Sequence, residues 1–138
     1  MADGTARVAT YFADAGEIPW SVYYSTPEFL ADPDGLDRAS RFSRAILRGT
    51  RWVLEHDPTD APVVIERYFK GYAPDLIAAS VRTCREKGVW TPTAHVNPAG
   101  LAAWQEMLVE GHLYDAPVPY ADFIDSRPAT WADRSVLA

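Results

Sequence analysis

Trp20-Ser21-Val22-Tyr23-Tyr24-Ser25-Thr26 is the stretch on which the fold class turns. Its β-branched and aromatic content is that of a strand. Pro27 then stands at the strand's end or on a sheet edge, because it has no N–H to give a ladder. Upstream, Arg7-Val8-Ala9-Thr10-Tyr11-Phe12 has the same character and is bounded by Asp14-Ala15-Gly16. The interval Asp14–Pro19 is too long for a two-residue hairpin turn and reads as a loop or crossover.

From Pro33 onward the pattern is helical. Asp34 can cap a helix running to about His56, and Leu36, Ala39, Phe42, Ile46, Gly49 and Val53 follow the three-and-four spacing of one buried stripe. Gly49 on that stripe implies the close approach of another backbone. Arg41, Arg44, Arg48 and Arg51 repeat on another side of the helix, where a solvated face is preferred over a phosphate grip. Asp57-Pro58-Thr59-Asp60-Ala61-Pro62 stops this helix and opens a second, which carries Val63, Val64 and Tyr68 inward and ends near Gly71. A third starts at Pro74-Asp75, buries Ile77, Val81 and Cys84, and ends at Gly88. Asn97-Pro98 opens a fourth, which gathers Leu101, Trp104 and Leu108 and stops at Gly111. Tyr120–Asp125 adds one or two turns around Phe123 and Ile124.

The expected fold is therefore α/β but mostly α, with two short N-terminal strands followed by four to five helices. We expect one domain over 1–138, with a strand and crossover region at 5–30, a helical region at 34–126 and a tail at 127–138. Two strands alone make a marginal sheet. Either the helices supply nearly all of the core, or the strands belong to a sheet whose other members lie elsewhere.

Composition bounds the function. The chain has 138 residues and a formal net charge of −6, which opposes general binding to nucleic acid or anionic membranes. Its hydrophobic fraction of 48% and five Trp are those of a folded chain with apolar surface to bury. The single Cys84 cannot form an internal disulfide. No apolar run approaches the roughly 18–20 residues of a membrane-spanning helix. Met1-Ala2-Asp3-Gly4-Thr5 lacks the basic start and apolar stretch of a secretion signal, so as written the chain is expected to stay cytoplasmic. If it is a fragment of an exported binding protein, it belongs outside the cytoplasm.

No catalytic constellation is expected. His56, His95 and His112 lack the i, i+4 spacing of a helical zinc site, and Cys84 has no neighbouring ligand, so no metal or other cofactor is anticipated. There is no glycine-rich phosphate loop and no nucleophile elbow. Asp32/Asp34 and Asp57/Asp60 fall at helix entrances, where capping accounts for them. The aromatic cluster Trp20, Tyr23, Tyr24 could line a pocket for a flat or cationic ligand, although packing in a core or interface is preferred.

Several stretches taken together resemble a known family. They are Ile18-Pro19-Trp20-Ser21-Val22-Tyr23-Tyr24-Ser25-Thr26-Pro27-Glu28-Phe29-Leu30, then Phe42-Ser43-Arg44-Ala45-Ile46 with Gly49-Thr50-Arg51-Trp52-Val53, then His56-Asp57-Pro58-Thr59-Asp60-Ala61, and the Asn97-Pro98 helix with Trp104. This order resembles the C-terminal part of ABC-transporter periplasmic substrate-binding proteins of the nitrate/sulfonate/taurine type. Binders of thiamine-pyrimidine precursors and a related pyrimidine synthase share that fold. The resemblance implies a partial type-2 periplasmic-binding-protein fold, a small-molecule solute as ligand, and an ABC permease as partner. It also implies either a missing-lobe partner or a homo-oligomer. Glu17, Trp20 and Tyr23, beside the implied hinge, are the ligand contacts it suggests. The alternatives are a self-associating interaction protein derived from that fold and, ranked last, an enzyme related to the pyrimidine synthase or the desulfinases.

Overall fold

The computed structural model describes residues 8–11, 14, 16–19 and 21–136. Among them the regular structure is helical, and neither expected strand forms. Residues 8–11 and 21–26 are irregular backbone, while Arg7, Phe12 and Trp20 lie outside the described residues. A strand exists only by exchanging main-chain hydrogen bonds with a neighbour. Among the described residues, no backbone hydrogen bond engages Val22–Ser25. Strand composition without a partner has left a coil, and the α/β expectation is corrected to a helical fold.

The helices are α1 (Pro27–Ala31), α2 (Pro33–Glu55), α3 (Ala61–Ile65), α4 (Pro74–Glu86), α5 (Pro98–Glu110), α6 (Tyr120–Phe123) and α7 (Arg127–Val136). Short 3-10 turns at Pro58–Asp60 and Glu66–Tyr68 flank α3. α1, α2, α5 and the 3-10 turn at Pro58 start with a side-chain oxygen at the cap and proline in the first turn, where its missing N–H costs nothing, whereas α3, α4 and α6 begin without a side-chain cap. Thr26 accepts from the Phe29 N–H at 3.2 Å, Asp32 from Gly35 at 2.8 Å, Asp57 from Thr59 at 2.9 Å, and Asn97 from Ala99 at 3.0 Å. Thr59 also donates its hydroxyl to Asp57 at 2.6 Å, and chiefly this bond holds the exposed Asp57 carboxyl below its usual range.

α2 and α7 form the main packed pair. Leu47 on α2, only 1% exposed, is buried together with Ala129 and Ala132 of α7, whose small side chains let the helices approach closely. The Arg44 guanidinium lies 6.0 Å from the Trp131 ring centre across the same pair. The stretch from residue 127, expected as a tail, is thus a helix that supplies core. α3 and α4 bury Ala61, Ile77, Ala78 and Val81. Arg85 of α4 donates to the carbonyls of Val53 and His56 and so finishes the C-terminal end of α2.

Two buried faces differ from expectation. On α2 the inward residues are Gly35, Ser40 and Leu47, whereas Phe42 is 47% and Ile46 39% exposed. On α3 the proximal Ala61 and Pro62 are buried and Val63 and Val64 face solvent, as does Tyr68 of the 3-10 turn that follows. The periodicity located apolar stripes but could not say which of them this chain covers. Among the described residues, Phe42, Ile46, Val63, Val64 and Tyr72 are large apolar side chains left exposed.

Candidate functional site

α5 is the element around which polar groups converge. Asn97 caps it through Oδ1, and its Nδ2 donates to Oε2 of Glu17. The Glu17 main chain lies directly over Gly100, since a Cβ added there would sit 1.8 Å from the Glu17 carbonyl oxygen and 3.4 Å from Pro19 Cδ. Only glycine permits this approach. The 16–19 segment is thereby laid across the first turn of α5, with the exposed Glu17 carboxylate at the helix start, where an anion is favoured.

On another side of α5, buried Gln105 clamps an irregular segment. Its Oε1 accepts from the Val118 N–H at 2.6 Å and its Nε2 donates to the Val118 carbonyl at 3.1 Å. The Tyr120 hydroxyl donates to the Val96 carbonyl at 2.9 Å. Between these contacts lies a cleft of about 160 Å³, lined among others by Leu101, Gln105, Glu106 and Tyr120. Pockets for drug-sized ligands measure roughly 300–1,000 Å³, so this cleft is below that range and has room for a few heavy atoms only.

Glu17 and Tyr23 rest on different helices. Glu17 is held on α5, whereas Tyr23, 72% exposed, sets its ring edge-on to Phe42 of α2 with centroids 4.7 Å apart. Trp20, the third suggested contact, lies outside the described residues. Sequence reasoning gave Asn97 only a capping role and gave Gln105 none. A polar residue amid Leu101, Trp104 and Leu108 was the signal available for Gln105.

Two other clusters carry polar chemistry. The Thr93 hydroxyl donates to Asp133 Oδ2 at 3.0 Å, and His95 Nε2 lies 3.5 Å from the same oxygen. The hydroxyl is thus directed at the carboxylate rather than at the imidazole. This cluster ties the loop before α5 to α7. Along α7, Ser126, Arg127, Thr130, Trp131 and Arg134 line an open groove of about 380 Å³. Arg127 is committed to Asp125, with Nη2 at 2.6 Å and Nε at 3.0 Å, which pushes the Arg127 pKa up and the Asp125 carboxyl down. Lys87 is likewise held by Asp14 at 2.8 Å, which raises its pKa, and lies 4.5 Å from the Tyr11 ring centre. Among the described residues, no three His, Cys, Asp or Glu side chains converge as a metal set. No described helix is long and apolar enough to cross a membrane.

No family model matches the chain, and no solved structure matches it. It is similar to a Bacillus subtilis (strain 168) protein named "Putative binding protein YtlA", with 22% identity over 122 residues. The match covers 88% of this chain and 36% of that relative, so the chain spans about a third of the relative's length. The similarity is to a binding protein, without indication of a substrate or a transporter.

Proposed function

We propose that this chain supplies part of a unit that binds a small organic or anionic solute. The observation that carries this reading is the similarity to a binding protein over 88% of the chain and 36% of the relative. Sulfonates, nitrate and pyrimidine precursors are the solute classes the family resemblance suggests, with an ABC permease as receiving partner. Glu17, Trp20 and Tyr23 are the proposed contacts. In support, the Glu17 carboxylate is held at the start of α5 by Asn97, and the Tyr23 ring, edge-on to Phe42, leaves most of its surface exposed. A carboxylate suits an ammonium or amidine group of a solute, and aromatic faces suit a flat ring or a cation.

The test is calorimetric titration of the full chain with taurine, nitrate and a hydroxymethylpyrimidine, with melting followed in parallel. Saturable heat with one class is expected. For a solute with an ammonium or amidine group, such as taurine or an aminopyrimidine, Glu17→Gln and Tyr23→Ala should each weaken binding about tenfold, the size of a lost charge-assisted or cation–aromatic contact. Absence of heat and of thermal shift with all three would remove the solute-binding reading from this chain. Self-association is the second reading, favoured by the uncovered stripe on α2.

A further inference from the structure

The packing of α7 on α2 gathers arginines that are far apart in sequence. Arg127, Thr130, Trp131 and Arg134 stand at i, i+3, i+4 and i+7 and share one face of α7, while Ala129 and Ala132 are buried on the other. With Ser126 they line the open groove of about 380 Å³, within the roughly 300–1,000 Å³ of small-molecule sites. No carboxylate is among the lining residues. Arg44 of α2 adds a third guanidinium, 6.0 Å from the Trp131 ring centre, and its buried Nε has no hydrogen-bond partner among the described residues. Neither Arg44 nor Arg134 has an ion-pair partner among the described residues. Arg127 engages Asp125 and the Leu30 carbonyl through Nε and Nη2, which leaves Nη1 outside those bonds.

We propose that this groove binds a flat aromatic carboxylate, with its ring against Trp131, its carboxylate on Arg134, and Arg44 and Arg127 as flanking cations. Charge selects the anion. Three guanidinium groups meet here and only Arg127 is countered by a carboxylate, in a chain whose net charge is −6. Asp133, further along α7, is turned to Thr93 and His95, and carboxylates beyond about 8 Å are largely screened by salt. The planar fork of a guanidinium matches a carboxylate through two parallel bonds. The wall selects the ring. It is mainly apolar and holds the Trp131 indole, 39% exposed, so a bare inorganic ion would leave most of it unused. The groove shares no residue with the contacts proposed above at Glu17, Trp20 and Tyr23, and the inference does not rest on that reading.

The test is calorimetric titration of the full chain with 2-naphthoate, 2-naphthamide and acetate. At the usual efficiency of ligands of this size, naphthoate should saturate one site with a Kd of about 1 mM or below. Naphthamide keeps the ring but not the charge and should bind about tenfold more weakly or worse, and acetate should give no saturable heat. Arg134→Gln should weaken naphthoate about tenfold. Arg134 is exposed, so circular dichroism should show this variant folded. Trp131→Leu should weaken naphthoate about fivefold through loss of the aromatic face. Equal affinity for naphthoate and naphthamide overturns the proposal, as does a naphthoate Kd above about 5 mM, beyond what such a ligand should show in a fitted site. Naphthoate binding that Arg134→Gln leaves unchanged overturns it too, because the anion then sits elsewhere.

Discussion

The carbonyl of Glu17 occupies the space where a Cβ of residue 100 would lie, 1.8 Å from that position. Alanine favours a helix over glycine by about 1 kcal/mol, so Gly100→Ala would stabilise α5 in isolation. Here the backbone contact must give way. Gly100→Ala should lower stability by about 1–3 kcal/mol, the usual range for overpacking, and release residues 16–19 from α5. Chemical denaturation gives the energy, and amide exchange at Ile18 reports the release. An unchanged or raised stability would mean that the two segments do not meet in solution.

Leu47 and Ile46 are chain neighbours with opposite fates. Leu47→Ala empties a fully buried site and should cost about 2–5 kcal/mol. Ile46→Ala, measured at concentrations where the chain is monomeric, should cost under about 1 kcal/mol, because its side chain is already substantially in water. Urea denaturation of both variants checks the difference, and equal losses would place the α2 stripe inward after all.

His112 adopts φ 56° immediately after α5, a left-handed conformation without the glycine that favours it. Gly111 beside it has an ordinary φ of −78°. Replacing His112 with glycine relieves the strained residue and should raise the melting temperature, by about 1 kcal/mol in free-energy terms. A loss of stability would show that the imidazole makes a contact of its own.

Arg127 bonds to Asp125 and also to the Leu30 carbonyl at 3.1 Å, joining the start of α7 to α1. The Asp125 carboxyl is lowered by the Arg127 hydrogen bond, so its contribution is present above the unfolded carboxyl value of about 3.9 and fades as pH falls through the lower folded one. The stability difference between wild type and Asp125→Asn should be under about 1 kcal/mol at pH 6, given the partial exposure of the pair. It should shrink as pH is taken from 5 towards 2. Melting curves over that range decide, and a difference that grows on acidification would reverse the assignment.

The helix starts were legible because their signals are local. A capping oxygen followed by proline acts within four residues, and Asn97-Pro98 opens α5 as expected; the cap of α2 is Asp32 rather than the expected Asp34, and Asp57 rather than Thr59 or Asp60 caps the turn before α3. What failed depended on partners distant in sequence. Val22, Tyr23 and Tyr24 have strand composition, but composition cannot supply the strand that pairs with them. Phe42 and Ile46 form a correct apolar stripe, but α7 covers the opposite side, where Ser40 and Leu47 lie. α7 itself escaped notice because Ala129 and Ala132, small residues, do its packing and give a weak apolar signal. At the candidate site, Glu17 came from the family resemblance and the Asn97 cap from local chemistry. Their pairing across 80 positions was visible only in three dimensions.

The attachment of α5 sets an order of opening. α2 is joined to α1 through Asp32, to α7 around Leu47 and to α4 through Arg85, so losing it dismantles most of the core. α5 is gripped chiefly by irregular backbone, the 16–19 segment over Gly100 and the Val118 segment on Gln105. Such contacts belong to the low-stability end of a native ensemble, where a unit detaches while the rest stays folded. Where α5 detaches, the Glu17–Asn97 contact is lost with it. A solute that touches both residues binds the docked form selectively and shifts the balance towards it. Its affinity is scaled by the fraction of chains already docked, so strengthening the Gln105 clamp, which touches neither Glu17 nor Asn97, tightens binding.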